Sequence, residues 1–91
     1  MTEVWHLYVL RCADGRFYTG ISTDPVRRIA EHQAGGTRGA KALRGKGPFR
    51  LAFSQIIGSR SDAQRAEFRF KQLSRLQKQA VIADAEFCWR E

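Results

Sequence analysis

The chain opens on a run with almost no polar interruption. Residues 4–12, VWHLYVLRC, are dense in apolar, aromatic and β-branched types and predict a largely buried strand. ADGR follows, where Asp14-Gly15 tolerates a positive φ and predicts a turn. FYTGIS, residues 17–22, is its partner strand. In TDPVRRIAEHQ, Asp24 is a natural N-cap and Pro25 suits the first helical position, so a helix is expected to about residue 34, stopped by Gly35-Gly36. Residues 35–50 are a glycine-rich basic connection, with a helical turn expected at AKAL. RLAFSQIIG, residues 50–58, predicts a third strand.

Residues 61–85 predict one long helix or two consecutive ones. Ser61 and Gln64 have capping-box spacing, and Ala63, Ala66, Phe70 and Leu73 recur at helical intervals as the packed face. In the tail, residues 84–91, Trp89 is expected to dock back on the core. The order is β-β-α-β-α: a small α+β domain spanning 1–91, with a mainly antiparallel sheet of three strands covered by helices.

The hairpin carries two tyrosines, Tyr8 and Tyr18, and they can frame one site only if both lie on one face. Side chains alternate across a strand, so a two-residue turn would separate them. An odd loop, Asp14-Gly15-Arg16, places Cys12 opposite Tyr18 and brings both phenols to one side. That loop is the expectation here.

Charge changes the picture more than composition does. The chain of 91 residues carries a formal +7, and twelve of its sixteen cations are arginine, whose planar fork suits phosphate. Between Glu31 and Asp62 there are six cations and no acid. Arg38, Lys41, Arg44, Lys46 and Arg50 are the expected binders of a nucleic-acid backbone. Neutralising Lys41, Arg44 and Lys46 together is expected to weaken duplex DNA binding. The log–log salt slope should fall by roughly 0.9 for each phosphate no longer engaged, read from titrations at several salt concentrations.

Two distant cysteines, with no CxxC pair and no secretory segment, point to reduced thiols and a cytoplasmic protein. No apolar run is long enough to span a bilayer, so no membrane partner is expected.

Two further groups stand out. Arg28 and His32 are four apart and share a helix face, beyond the Ile29 edge of the expected buried stripe Val26, Ile29 and Ala30. Glu67 sits among Arg65, Arg69 and Lys71, at the border of the packed face. It is either an i,i+4 partner of Lys71 or the one carboxylate ligand of a hard cation.

LYV (7–9), YTG (18–20), Arg28 eight residues after Gly20, His32 one turn on, and Glu67 within AQRAEF together resemble the GIY-YIG nuclease domain, over about residues 4–80. GAKALRGKGP (39–48), RAE (65–67) and KQL (71–73) are similar to the small stand-alone bacterial members. The resemblance implies a three-stranded antiparallel sheet flanked by helices and an endonuclease that hydrolyses phosphodiesters with one divalent metal, Mg²⁺ or Mn²⁺. It implies Tyr8 and Tyr18 as the motif tyrosines, Arg28 as the catalytic arginine, Glu67 as the metal ligand and His32 as a hydrogen-bonding partner near the nucleophile. Gly20 would leave room for substrate, and Lys71 would join the nucleic-acid contacts. The implied substrate is nucleic acid, DNA before RNA, structured or damaged, in repair or recombination, with a homodimer or a targeting protein to supply specificity. The chain departs from the family in the first motif, which lacks its glycine, and in having no asparagine anywhere. The alternative is a catalytically weak or inactive nucleic-acid-binding module of the same fold.

Overall fold

The computed structural model describes residues 3–34 and 47–90. The expected turn at AKAL and the basic residues Arg38, Lys41, Arg44 and Lys46 lie outside them. The elements are β1 (Trp5–Arg11), β2 (Phe17–Ser22), α1 (Pro25–Ala34), β3 (Arg50–Gly58), α2 (Arg60–Lys71) and α3 (Arg75–Asp84). All strand pairs are antiparallel, in the order β2-β1-β3. The central place of β1 explains its unbroken apolar run. Leu7 and Val9 enter one core with α2, while Tyr8 and Leu10 enter a second core against α1.

The hairpin loop has odd length, as expected, but its register is slipped by two residues. Leu10, not Cys12, faces Tyr18, and Tyr8 faces Gly20. The loop is Ala13-Asp14-Gly15, closed by Cys12 N–H donating to Arg16 O at 2.8 Å and Gly15 N–H donating to Cys12 O at 2.9 Å. Gly15 takes φ +88°, the left-handed position that ends a three-residue hairpin loop. Asp14 Oδ1 accepts from Arg16 N–H at 3.0 Å and fixes the turn. The parity is preserved, so both phenols share a face.

Asp24 caps α1 as expected, accepting Arg27 N–H at 3.1 Å. The buried side of α1 is not the expected stripe. Val26 is 76% exposed and Ala30 is exposed, whereas His32 is 3% exposed and Ile29 packs on the second core. The helix is turned by about one residue's step, because the sheet offers it a phenol hydroxyl as well as apolar surface, and a histidine can meet both.

The helical stretch after β3 divides in two. The N-cap of α2 is Ser59, two residues earlier than expected, with its hydroxyl accepting Asp62 N–H at 3.1 Å. The Ser61–Gln64 box does not start this helix, since Ser61 already lies inside α2. A complete box forms at α3 instead: Ser74 Oγ accepts Gln77 N–H at 3.1 Å and Gln77 Oε1 accepts Ser74 N–H at 2.8 Å. The break at Ser74 follows from that cap. Ala63, Ala66 and Phe70 are buried on the first core, and Leu73 packs beside them.

Trp89 docks back, 8% exposed, together with Phe87. Gln55 holds that tail to the sheet edge, donating to Phe87 O at 3.1 Å and accepting Phe87 N–H at 2.9 Å. Gln33 treats Phe49 in the same way, at 2.8 and 3.2 Å, and so fixes the entry to β3 against α1. Each glutamine amide replaces a missing strand neighbour.

Candidate active site

Tyr8 is 1% exposed and lies across the strand from Gly20. A Cβ on Gly20 would stand 2.5 Å from the Tyr8 hydroxyl oxygen. The clearance over Gly20, expected to admit substrate, is therefore filled by the Tyr8 phenol. From there the hydroxyl is hydrogen-bonded to His32 Nε2 at 3.1 Å. Tyr18, partly exposed, completes a cluster of three rings. Its centroid is 6.5 Å from Tyr8 and 5.5 Å from His32, edge-on to the imidazole.

Arg28 sits one turn before His32. Its Nη1 donates to Glu31 Oε1 at 3.0 Å, which aims the guanidinium rather than leaving it to solvent. Glu67 comes from α2, at the other end of the chain. Its carboxylate pairs with Lys71 Nζ at 3.8 Å, a long contact to a lysine side chain that is 56% exposed. The same carboxylate contributes negative charge at both Tyr8 and Tyr18. Glu67 thus has the expected i,i+4 partner, and its charge also reaches the ring cluster. Arg50 is exposed at the start of β3, opposite Arg11 on β1.

The electrostatics follow from this packing. Burial, reinforced by Tyr18, pushes the Tyr8 phenol up to about 12, against the pull of Arg28. Burial also raises Tyr18, again opposed by Arg28. Burial and the Arg28 charge lower His32, with Glu31 opposing. The Glu31 hydrogen bond raises Arg28 further. At neutral pH a neutral phenol thus meets a neutral imidazole, and the phenol is the donor in the tautomer that carries the ring proton on Nδ1.

The His32 shift has a sign that can be tested. The unfolded chain takes up a proton near pH 6.5, while the native imidazole resists it. Stability conferred by neutral His32 is expected to be full above that pH and to fall as pH drops toward the lowered native value. His32→Gln should remove that part of the acid sensitivity in a Tm-versus-pH series. Tyr8 behaves oppositely, losing stability only as pH rises from the phenol's usual value of 10.0 toward about 12.

A hard cation fits the donor set. Glu67 offers one carboxylate whose charge is felt at both phenols, and Mg²⁺ is commonly held by one or two carboxylates, waters and substrate phosphate. Among the described residues no group of three His, Cys, Asp or Glu could hold a metal, which disfavours a closed zinc-type site.

Sequence reasoning missed Glu31. Its signal was the i,i+3 spacing from Arg28, which only acquires meaning once Arg28 is known to face the rings. It also missed Gln33, whose side-chain amide ties α1 to Phe49.

A family model described as the GIY-YIG catalytic domain matches residues 4–80. A UPF0213 protein of Cronobacter sakazakii is 58% identical over 81 residues, covering 89% of this chain and 83% of that protein. One of Yersinia pestis is 56% identical over 82 residues, covering 90% and 84%. The solution NMR structure of the UPF0213 protein BH0048 from Bacillus halodurans is 42% identical, with a TM-score of 0.56, covering 88% of this chain and 83% of that one. That of the protein EF2693 from E. faecalis is 34% identical, with a TM-score of 0.62, covering 91% and 86%. With this sheet, these helices and the motif residues in this order, the chain belongs to the GIY-YIG catalytic domain family.

Proposed function

We propose that this protein is a divalent-metal-dependent endonuclease that hydrolyses phosphodiester bonds in DNA. The observation that carries the reading is the Tyr8–His32 hydrogen bond at 3.1 Å, with Tyr18, Arg28 and the Glu67 charge gathered on the same phenols. A phenol held near 12 is a poor free base at neutral pH. Coupled to His32 it is a relay: as the attacking water gives a proton to the Tyr8 oxygen, Tyr8 gives its own to His32 Nε2. The water oxygen bonds to phosphorus, the P–O bond to the leaving group breaks, and that oxygen leaves as an alkoxide that solvent protonates. Tyr18, the more exposed of the two phenols, orients that water or the phosphate. Arg28 forks onto a phosphate oxygen as its charge grows. Glu67 would hold the Mg²⁺ or Mn²⁺, which when bound neutralises the scissile phosphate and the leaving oxygen.

The reading extends to structured or damaged DNA as substrate in repair or recombination, with specificity from DNA shape, a second copy of the chain or a targeting protein. Among the described residues no helix is long and apolar enough to cross a membrane. Incubation of the purified protein with branched, nicked and linear DNA, with and without Mg²⁺ or Mn²⁺, tests the reading. Metal-dependent cleavage is expected, with an acid limb set by His32 below its ordinary 6.5. Binding without cleavage under every condition would leave the nucleic-acid-binding module.

A further inference from the structure

The outward side of α2 repeats the chemistry of nucleic-acid binding away from the ring cluster. Gln64, Arg65, Phe68 and Arg69 line one groove there. It continues into a hollow between α2 and the C-terminal segment, where Cys88 and Trp89 meet Phe68 and Arg69. A third recess joins Arg65 and Arg69 to Arg90. Phe68 is 65% exposed, while Phe70, two residues on, is fully buried. A lone exposed aromatic is ordinary on a protein surface. Here it lies in grooves lined by three arginines, and the one carboxylate among the described lining residues, Asp62, is already engaged by Arg90 at 3.9 Å. Arg90 also stacks over the Trp89 ring, 4.7 Å from its centroid.

We infer that this groove is a second binding surface, for a single strand of nucleic acid, in which Phe68 stacks a base and Arg65 and Arg69 take backbone phosphates. The occupant follows from the mixture. A duplex hides its base faces and would use the arginines alone, whereas an unpaired strand uses both a cation and a ring. One turn of helix separates Arg65 from Arg69, with Phe68 on the same side. Phe68 adjoins Glu67 in the chain, so a strand in the groove lies one step around the helix from the proposed metal ligand. The inference rests on the nuclease reading for its purpose, to hold the unpaired arm of a branched substrate, but not for the binding itself.

Cys88 is exposed and Cys12 buried, so a photo-crosslinker can be placed on Cys88 alone. The labelled full chain is irradiated with an oligothymidylate in the presence of a chelator, which prevents cleavage. Crosslinking is expected, and unlabelled single strand should compete better than the same mass of duplex. In fluorescence anisotropy with unlabelled protein, Phe68→Ala is expected to weaken single-strand binding about tenfold. Phe68→Trp should preserve it, and Arg65→Gln with Arg69→Gln should lower the salt slope by roughly 0.7 for each phosphate no longer engaged. Absence of crosslinking, equal crosslinking to duplex, or unchanged affinity in Phe68→Ala would each overturn the inference. Metal-dependent cleavage of a blunt duplex is measured separately. If it is retained in Phe68→Ala with binding also unchanged, only the groove falls; if wild type never cleaves yet Phe68→Ala loses binding, only the nuclease reading falls.

Discussion

Glu67→Gln is expected to reduce metal-dependent cleavage by at least about a hundredfold while leaving the protein folded and bound to DNA. The substitution keeps the shape and polarity of the side chain and removes the one negative charge that would hold the cation. The Lys71 pairing it sacrifices is 3.8 Å long and faces solvent, so the stability cost should stay within about 0.3–0.5 kcal/mol. DNA affinity should hold or rise, because a carboxylate leaves a protein of net charge +7. These three readouts separate a ligand from a strut. A structural Glu67 would lose stability and keep its rate; a metal ligand does the reverse. Wild-type rates in purified Glu67→Gln protein would end the assignment of Glu67.

Gly20→Ala is expected to have the largest effect on the architecture of the site. Two opposing terms decide its sign. An alanine in a strand recovers about 0.5–1 kcal/mol of backbone entropy relative to glycine. Against that, the new methyl would sit 2.5 Å from the Tyr8 hydroxyl oxygen and 2.6 Å from its ring, inside van der Waals contact. Tyr8 is 1% exposed and tied to His32, so it cannot swing clear without abandoning that bond. Overpacking of this kind costs about 1–3 kcal/mol, so the clash wins. Urea titration should show a net loss of stability, and cleavage should fall as the Tyr8–His32 geometry is displaced. In a Tyr8→Leu background the same Gly20→Ala change should cost markedly less, because the partner atoms are gone. Equal costs in the two backgrounds would mean that Gly20 is needed for some reason other than Tyr8.

This gives a different meaning to the tyrosine-glycine sequence of the second motif. The backbone of Gly20 needs no positive φ; among the described glycines that conformation belongs to Gly15 and Gly58. What Gly20 supplies is the absence of a side chain. The buried phenol of one strand crosses the bare backbone of its neighbour and emerges at the histidine of α1. A motif that reads as an open door for substrate is a seat for the protein's own tyrosine.

The element order was legible because it rests on local signals. The apolar density of residues 4–12, the Asp24-Pro25 helix start and the spacing of Ala63, Ala66 and Phe70 each act within a few residues. Hairpin parity was legible for the same reason, since alternation leaves only two possibilities. The exact register was not, because Ala13-Asp14-Gly15 and Asp14-Gly15-Arg16 both supply a glycine to an odd loop. Nor was the N-cap of α2, where Ser59 and Ser61 offer similar local chemistry and the end of β3 at Gly58 selects the earlier one.

Local pattern in the chain was enough to order the strands and helices and to nominate residues for the site. Tyr8, Tyr18, Arg28, His32 and Glu67 were candidates without coordinates, because the resemblance of LYV, YTG and AQRAEF to the GIY-YIG domain rests on residue types and their spacing alone. How those groups act on one another came from the packed fold. The rotation of α1 that buries His32 and exposes Val26, the anchoring of Arg28 by Glu31, and the rise of Tyr8 to about 12 depend on neighbours far apart in sequence. Burial and charge are set by whatever the finished fold places around a group, and desolvation has no sequence-local signature.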